Sequence, residues 1–282
     1  MTSTAVSESD APTDAPAGFR AKYERSVARN ESLLCVGLDP DPDRIPAGVD
    51  ARTFLLDIIQ ATSDLVCCYK PNIAFYEHDV EHGLALLRDV IAAVPDGIPV
   101  LVDAKRGDIG NTARFYAKAI YEGLGADAVT LNPYLGRDAL EPFLEYEQRY
   151  AFVLCHTSNA GAADVQELTL ADDGAPLFER VARNANDWNE RGNVGLVVGA
   201  TFPEQAARIR AICPDLPLLL PGIGAQDGDL RLAVRSALDS DRAGILVNAS
   251  RGILYAGDGA DYASAAHDEA RRLRDEINAA RG

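Results

Sequence analysis

The stretch Ile98-Pro99-Val100-Leu101-Val102-Asp103-Ala104-Lys105-Arg106-Gly107-Asp108-Ile109-Gly110-Asn111-Thr112 is the one from which the fold is read. A short apolar run, Ile98–Val102, ends abruptly in alternating charges. It passes two glycines and enters a segment, Thr112–Glu122, with helical spacing. This is a strand, a loop and a helix in that order. In extended backbone Asp103 and Lys105 point to one side, and Val102 and Ala104 to the other. An Asp and a Lys directed inward at a strand end are costly to desolvate unless they are paired.

The same punctuation repeats in both directions along the chain. Strand candidates are Leu33–Leu38, Leu65–Tyr69, Ile98–Val102, Ala128–Leu131, Ala151–Cys155, Val194–Val198, Leu216–Leu220 and Ala243–Val247. Helical segments lie between them, among them Thr53–Thr62, Phe75–Ala93, Thr112–Glu122, Leu177–Glu190, Pro203–Ile212 and Asp229–Leu238, with a last helix from about Asp261 to Ala280. Strands about 30 residues apart, most followed by a helix, predict parallel βαβ units. Eight such units fit a closed (β/α)8 TIM barrel better than an open doubly wound sheet. Residues 19–282 are expected to form this single domain, and residues 1–18, rich in Ser, Thr, Asp, Ala and Pro, a disordered tail. In such a barrel function sits at the C-terminal strand ends. There strand 1 brings Asp39, strand 2 Lys70, and strand 3 Asp103 and Lys105, so consecutive strands deliver four alternating charges to one rim. Asp108 follows in the loop, where it is a candidate either for the site or for capping the next helix.

Composition narrows the partners. The chain has 282 residues, with 27 basic against 43 acidic side chains, and a net charge of −16. So acidic a surface argues against nucleic acid or an anionic membrane. No apolar run reaches the roughly 20 residues that span a bilayer, and the N-terminal segment lacks the pattern of a signal peptide, so a cytoplasmic protein is expected. Only four lysines occur, Lys22, Lys70, Lys105 and Lys118; arginine supplies the other basic residues. Abundant acids with scarce lysine suit strong salt, where the Debye length falls to about 3 Å at 1 M. Where surface lysine is avoided, lysines at strand ends are expected to do chemistry. The five cysteines, Cys35, Cys67, Cys68, Cys155 and Cys213, form no C-x-x-C pair and read as reduced core thiols.

A second candidate region follows strands 7 and 8: Pro221-Gly222-Ile223-Gly224-Ala225-Gln226 and Asn248-Ala249-Ser250-Arg251-Gly252. Barrels of this type commonly bind phosphate there, with backbone N–H groups and an arginine suited to the anion. The glycines lack dinucleotide-fingerprint spacing. His78 and His82, at i and i+4 in an expected helix, have metal-ligand spacing but lie among Glu77, Asp79 and Glu81 on a solvated face. No metal is expected. His156 closes strand 5 ahead of Thr157-Ser158-Asn159, where a hydroxyl or amide can read a polar ligand. No nucleophile elbow supports a Ser-His-Asp triad.

The run Asp103 to Ala113 closely resembles the signature of the orotidine 5′-phosphate decarboxylase family, in its second, bacterial and archaeal, subgroup. Tyr69-Lys70-Pro71-Asn72, Thr157-Ser158-Asn159, Pro221 to Gln226 and Ser250-Arg251-Gly252 match its other motifs in order, and the resemblance extends over roughly residues 19 to 280. It implies conversion of orotidine 5′-monophosphate to UMP and carbon dioxide, the last step of de novo pyrimidine synthesis, with no metal or organic cofactor. By position it implies that Lys105 donates the proton to C6, that Asp103 sits beside the departing carboxylate, and that Lys70 holds Asp103 and a ribose hydroxyl. Asp39 would also contact the ribose, Ser158 the pyrimidine, and Gln226 and Arg251 the phosphate, with Pro221 lining the substrate site. Residues matching Asp108 and Thr112 reach the partner's site in that family, which implies a homodimer with shared active sites. Ala160 and Asp227 depart from the family pattern, which often has proline and glycine there. Two other readings of the same barrel are a Mg²⁺-dependent decarboxylase acting on a sugar phosphate and a non-catalytic phosphate-binding barrel.

Overall fold

The strands of this chain are almost wholly apolar along their length, the pattern of a parallel sheet covered on both faces. The structure, a computed structural model, describes residues 17–222 and 230–282. The expected tail, residues 1–18, therefore lies outside the described residues except for Ala17 and Gly18. In chain order the main elements are α1 (Phe19–Asn30), β1 (Leu34–Gly37), α2 (Ala51–Thr62), β2 (Cys68–Lys70), α3 (Ala74–Glu77), α4 (Gly83–Ala93), β3 (Leu101–Arg106), α5 (Gly110–Lys118), β4 (Ala128–Leu131), α6 (Glu141–Leu144) and β5 (Tyr150–His156). They continue with α7 (Leu177–Trp188), β6 (Val194–Val198), α8 (Pro203–Ile212), β7 (Leu218–Pro221), α9 (Leu230–Ala237), β8 (Ile245–Ala249), α10 (Arg251–Leu254) and α11 (Tyr262–Arg281).

The eight strands pair in parallel in the order β2-β1-β8-β7-β6-β5-β4-β3. The remaining seam, between β2 and β3, is closed by bridges Tyr69 to Val100 and Asn72 to Asp103. Three backbone bonds support that closure: Tyr69 to Pro99, Asp103 to Pro71 and Ile73 to Asp103. The expected (β/α)8 barrel is thus the observed one. Its lumen is packed by Cys35, Cys67, Cys68, Leu101, Phe152 and Leu246. A larger apolar layer lies between strands and helices. All five cysteines are buried free thiols.

Four strands run later than hydropathy places them: β2, β3, β7 and β8 begin and end one to four residues further along. Their polar tips, such as Lys70, Asp103 and Asn248, stay in the hydrogen-bonded ladder after the apolar run has stopped. The single helix expected over Phe75–Ala93 is two helices, α3 and α4. Asp79 Oδ1 accepts from the N–H groups of Glu81 and His82 and turns the chain. A Cβ at Gly83 would lie 1.7 Å from the Tyr76 carbonyl oxygen, so only glycine permits the re-entry. His78 and His82 therefore flank a break, not one helical face, and both are exposed. The segment expected as helix to Glu122 is α only to Lys118, followed by a π turn over Ala119–Gly123.

Candidate active site

The rim is built from β8 round to β4. Asp39, just after β1, is buried. Its Oδ1 accepts from the Asn72 N–H at 2.9 Å and its Oδ2 from the Ser250 hydroxyl at 2.7 Å. That joins β8, β1 and the end of β2. Lys70, the last residue of β2, is 3% exposed, and its Nζ lies 3.4 Å from Asp103 Oδ2. The other carboxylate oxygen of Asp103, Oδ1, receives the Lys105 ammonium at 2.6 Å and the Thr130 hydroxyl at 2.7 Å. The structure thus brings Asp39, Lys70, Asp103 and Lys105 together at one mouth, with Asp103 between two ammonium groups.

The electrostatics follow from that placement. Burial pulls the Lys70 ammonium down, but the carboxylates of Asp39 and Asp103 outweigh it, and the group ends above the usual lysine value. Burial likewise pushes Asp103 up. Lys70, Lys105 and the hydrogen bonds from Lys105 and Thr130 overcome this and hold it at about 2. At neutral pH Asp103 is therefore a fixed negative charge and not a proton donor. Lys105 is half exposed, so its ammonium faces the space where a ligand would sit.

Lys105 does not reach this position by simple strand alternation. Its φ is +48°, in the left-handed region, where a non-glycine residue costs on the order of 1–3 kcal/mol. The β3–β4 register slips between Val102 and Arg106 at the same place. Val102 and Ala104 do face the outer apolar layer, as alternation predicts.

Asp108 does not cap α5. The cap residue is Ile109, and no side chain bonds there; Asp108 Oδ1 accepts only the Ile109 N–H, at 2.8 Å. Thr112 is exposed on the first turn of α5. Neither bonds to the Lys70–Asp103–Lys105 cluster of its own chain.

The far side of the mouth is formed by β5, β6 and β7. Ser158 is half-buried just after β5. A Cβ on Gly199 would stand 2.7 Å from the Ser158 backbone nitrogen, so glycine at the end of β6 lets that loop lie close. Pro221 ends β7 and Gly222 follows, its position 3.5 Å from the Ser158 hydroxyl for an added Cβ. Gln226 and Asp227 lie outside the described residues. Arg251, at the start of α10, is exposed and enters no ion pair among the described residues. Behind Ser158, His156 is fully buried with its Nε2 3.1 Å from Glu167 Oε1, its ring edge-on to Phe178 and Phe202. Gln166 clasps Thr157 through two 2.8 Å bonds, to its backbone N–H and from its own amide to the hydroxyl.

Sequence reading did not single out Thr130 or the Ser250 hydroxyl. A threonine inside the run Ala128–Leu131 reads as an ordinary strand former, and only the fold turns it to Asp103. Among the described residues no cluster of three or more metal-ligating side chains occurs.

The sequence profile described as "Orotidine 5'-phosphate decarboxylase / HUMPS family" matches residues 32–266. A protein of Roseiflexus castenholzii named orotidine 5′-phosphate decarboxylase is 55% identical over 93% of this chain and 98% of its own length. One of the same name from Thermomicrobium roseum is 51% identical over 92% and 94%. Among solved structures, that of Leishmania donovani OMP decarboxylase superposes with a TM-score of 0.83 at 42% identity, covering 94% of this chain and 98% of that one.

Proposed function

The chain belongs to the orotidine 5′-phosphate decarboxylase family, and from that premise we propose that Lys70, Asp103, Lys105 and Asp108 carry its reaction. The chain is a carboxy-lyase: orotidine 5′-monophosphate loses its carboxylate as carbon dioxide and becomes UMP, the last step of pyrimidine synthesis.

The C6–carboxylate bond breaks and its electron pair stays on C6 of the ring. The Lys105 ammonium, held at 2.6 Å from Asp103, lies opposite that developing charge and then gives a proton to C6, leaving an amine that solvent reprotonates. Two unit charges about 4 Å apart are worth on the order of 4 kcal/mol at an effective dielectric of 20. That is short of the roughly 8–23 kcal/mol typical of enzymes. The remainder comes from orientation, exclusion of water and binding of the remote phosphate. Asp103, ionised and beside the departing carboxylate, adds repulsion in the ground state. Lys70 and Asp39 orient the ribose, Ser158 and Pro221 border the pyrimidine, and Arg251 with Gln226 grips the phosphate.

The reading includes a homodimer with shared active sites. Asp108 and Thr112 are free of their own chain's cluster, and apolar side chains stand exposed beside them: Ile109, Phe115 (67%), Tyr134 (83%) and Leu135. It also includes a cytoplasmic setting, and among the described residues no helix is long and apolar enough to cross a membrane. The acid-rich composition is read as adaptation to strong salt.

The observation that carries this reading is the placement of one carboxylate between two lysine ammonium groups at adjacent strand tips. An absorbance assay with orotidine 5′-monophosphate, run with and without EDTA, tests it. Turnover at the same rate in both is expected. No turnover, or turnover abolished by EDTA, contradicts it.

A further inference from the structure

We propose that Thr130 is a positioning residue for the reaction: its hydroxyl fixes both the carboxylate of Asp103 and the left-handed backbone of Lys105. This rests on the reading that Asp103 and Lys105 carry the chemistry. Thr130 is 1% exposed, on β4 beside the irregular part of β3. Its Oγ1 lies 2.9 Å from the Lys105 backbone nitrogen and 2.7 Å from Asp103 Oδ1.

The direction of both bonds is forced. A backbone N–H only donates, and an ionised carboxylate only accepts. The Thr130 oxygen therefore accepts from Lys105, and its single hydroxyl proton goes to Asp103. One atom thus links the backbone of the proton donor to the carboxylate that holds its ammonium.

Each bond restrains a different freedom. The bond to Lys105 N takes up an N–H that the slipped β3–β4 ladder does not pair, just where φ is +48°. Without it the residue relaxes toward extended backbone, which carries the ammonium away from the mouth. The bond to Asp103 Oδ1, together with those from Lys105 and Lys70, stops the carboxylate rotating about its terminal torsion. Thr130 is buried and offers almost no surface to a ligand in the mouth, so its effect belongs in the chemical step and not in ground-state binding.

The test compares Thr130→Val, which keeps the β-branched shape, with Thr130→Ser, which keeps the hydroxyl. T130V is expected to lower kcat about a hundredfold while leaving KM and UMP affinity within about threefold of the parent. T130S is expected to recover most of kcat. The proposal is overturned if T130V keeps kcat within threefold, if UMP affinity falls in step with kcat, or if T130S is no better than T130V. Should T130V not fold, Thr130→Cys, of similar size to serine and a weak donor, takes its place under the same criteria. A K105A chain measured alongside separates the two levels: if it turns over normally the underlying reading fails, whereas inert K105A with fully active T130V removes only the role of Thr130.

Discussion

Asp103 sits between two ammonium groups, and its charge state fixes the pH range in which the cluster holds together. Its folded value, about 2, lies below the ordinary carboxylate value of about 3.9. A depressed acid contributes stability that is present above the unfolded value and is lost as pH falls through the folded one. The contribution is on the order of 2–3 kcal/mol, since one pKa unit corresponds to about 1.4 kcal/mol. Urea unfolding of the parent and D103N is expected to show a stability gap that narrows by about this amount between pH 5 and pH 2. A gap independent of pH would mean that the carboxylate is not held by its neighbours. Lys70, raised, contributes in the opposite sense: its share is present below the unfolded lysine value and lost only in strong alkali. Asp39, Lys70, Asp103 and Lys105 were legible in the sequence because charges at the ends of apolar strands have few structural uses. The backbone turn at Lys105 was not legible, because alternation assumes regular strand and the slip depends on how β3 meets β4.

Helix α1 shows the same limit at the level of an element. Its buried positions, Phe19, Tyr23, Ser26 and Asn30, follow helical spacing, but two of the four are polar, so the apolar stripe is narrow, Phe19, Tyr23 and Val27 alone. Their partners lie far away in sequence: the Tyr23 hydroxyl donates to Ile245 O, Ser26 to Cys67 O, and the Asn30 amide to Val66 O. The helix plugs the barrel end opposite the active site, fixed by Lys22 to Asp127 at 2.8 Å. Asp127 is buried, also receives Arg149 at 3.2 Å, and accepts the Val100 N–H at 2.9 Å. Replacing Asp127 by Ala takes the acceptor from the Val100 N–H and the Lys22 ammonium, while Arg149 keeps the Ala126 carbonyl at 2.9 Å, and is expected to cost about 2 kcal/mol in chemical unfolding. Because the site lies at the other end, kcat is expected to stay within twofold of the parent at a temperature where the variant is folded. A large loss of kcat without loss of stability would tie this plug to the chemistry. The α3–α4 break was hidden for a related reason: Asp79 and Gly83 act through a turn and a close approach that helical periodicity does not register.

Across the whole molecule, the alternation of short apolar strands with helices specified the barrel, and the barrel specified which strand ends meet. What composition adds is surface chemistry. With a net charge of −16, self-repulsion opposes the compact state in dilute buffer and is screened in strong salt. The thermal midpoint is expected to rise by several degrees between about 0.1 M and about 2 M KCl, as followed by circular dichroism. A midpoint unchanged by salt would contradict adaptation to a saline interior. The shared site makes a second whole-molecule prediction: K105A and D108A chains, each inactive alone, regain part of the parent activity when mixed and reassociated, because one hybrid mouth has both intact residues. No recovery in a mixture shown to contain hybrid dimers would place Asp108 in its own chain's site. The most direct measurement of all is the turnover of orotidine 5′-monophosphate by K105A that still folds and still binds UMP. A fall of about a thousandfold or more in kcat is expected; turnover within a few-fold of the parent would rule out the proton donor at the tip of β3.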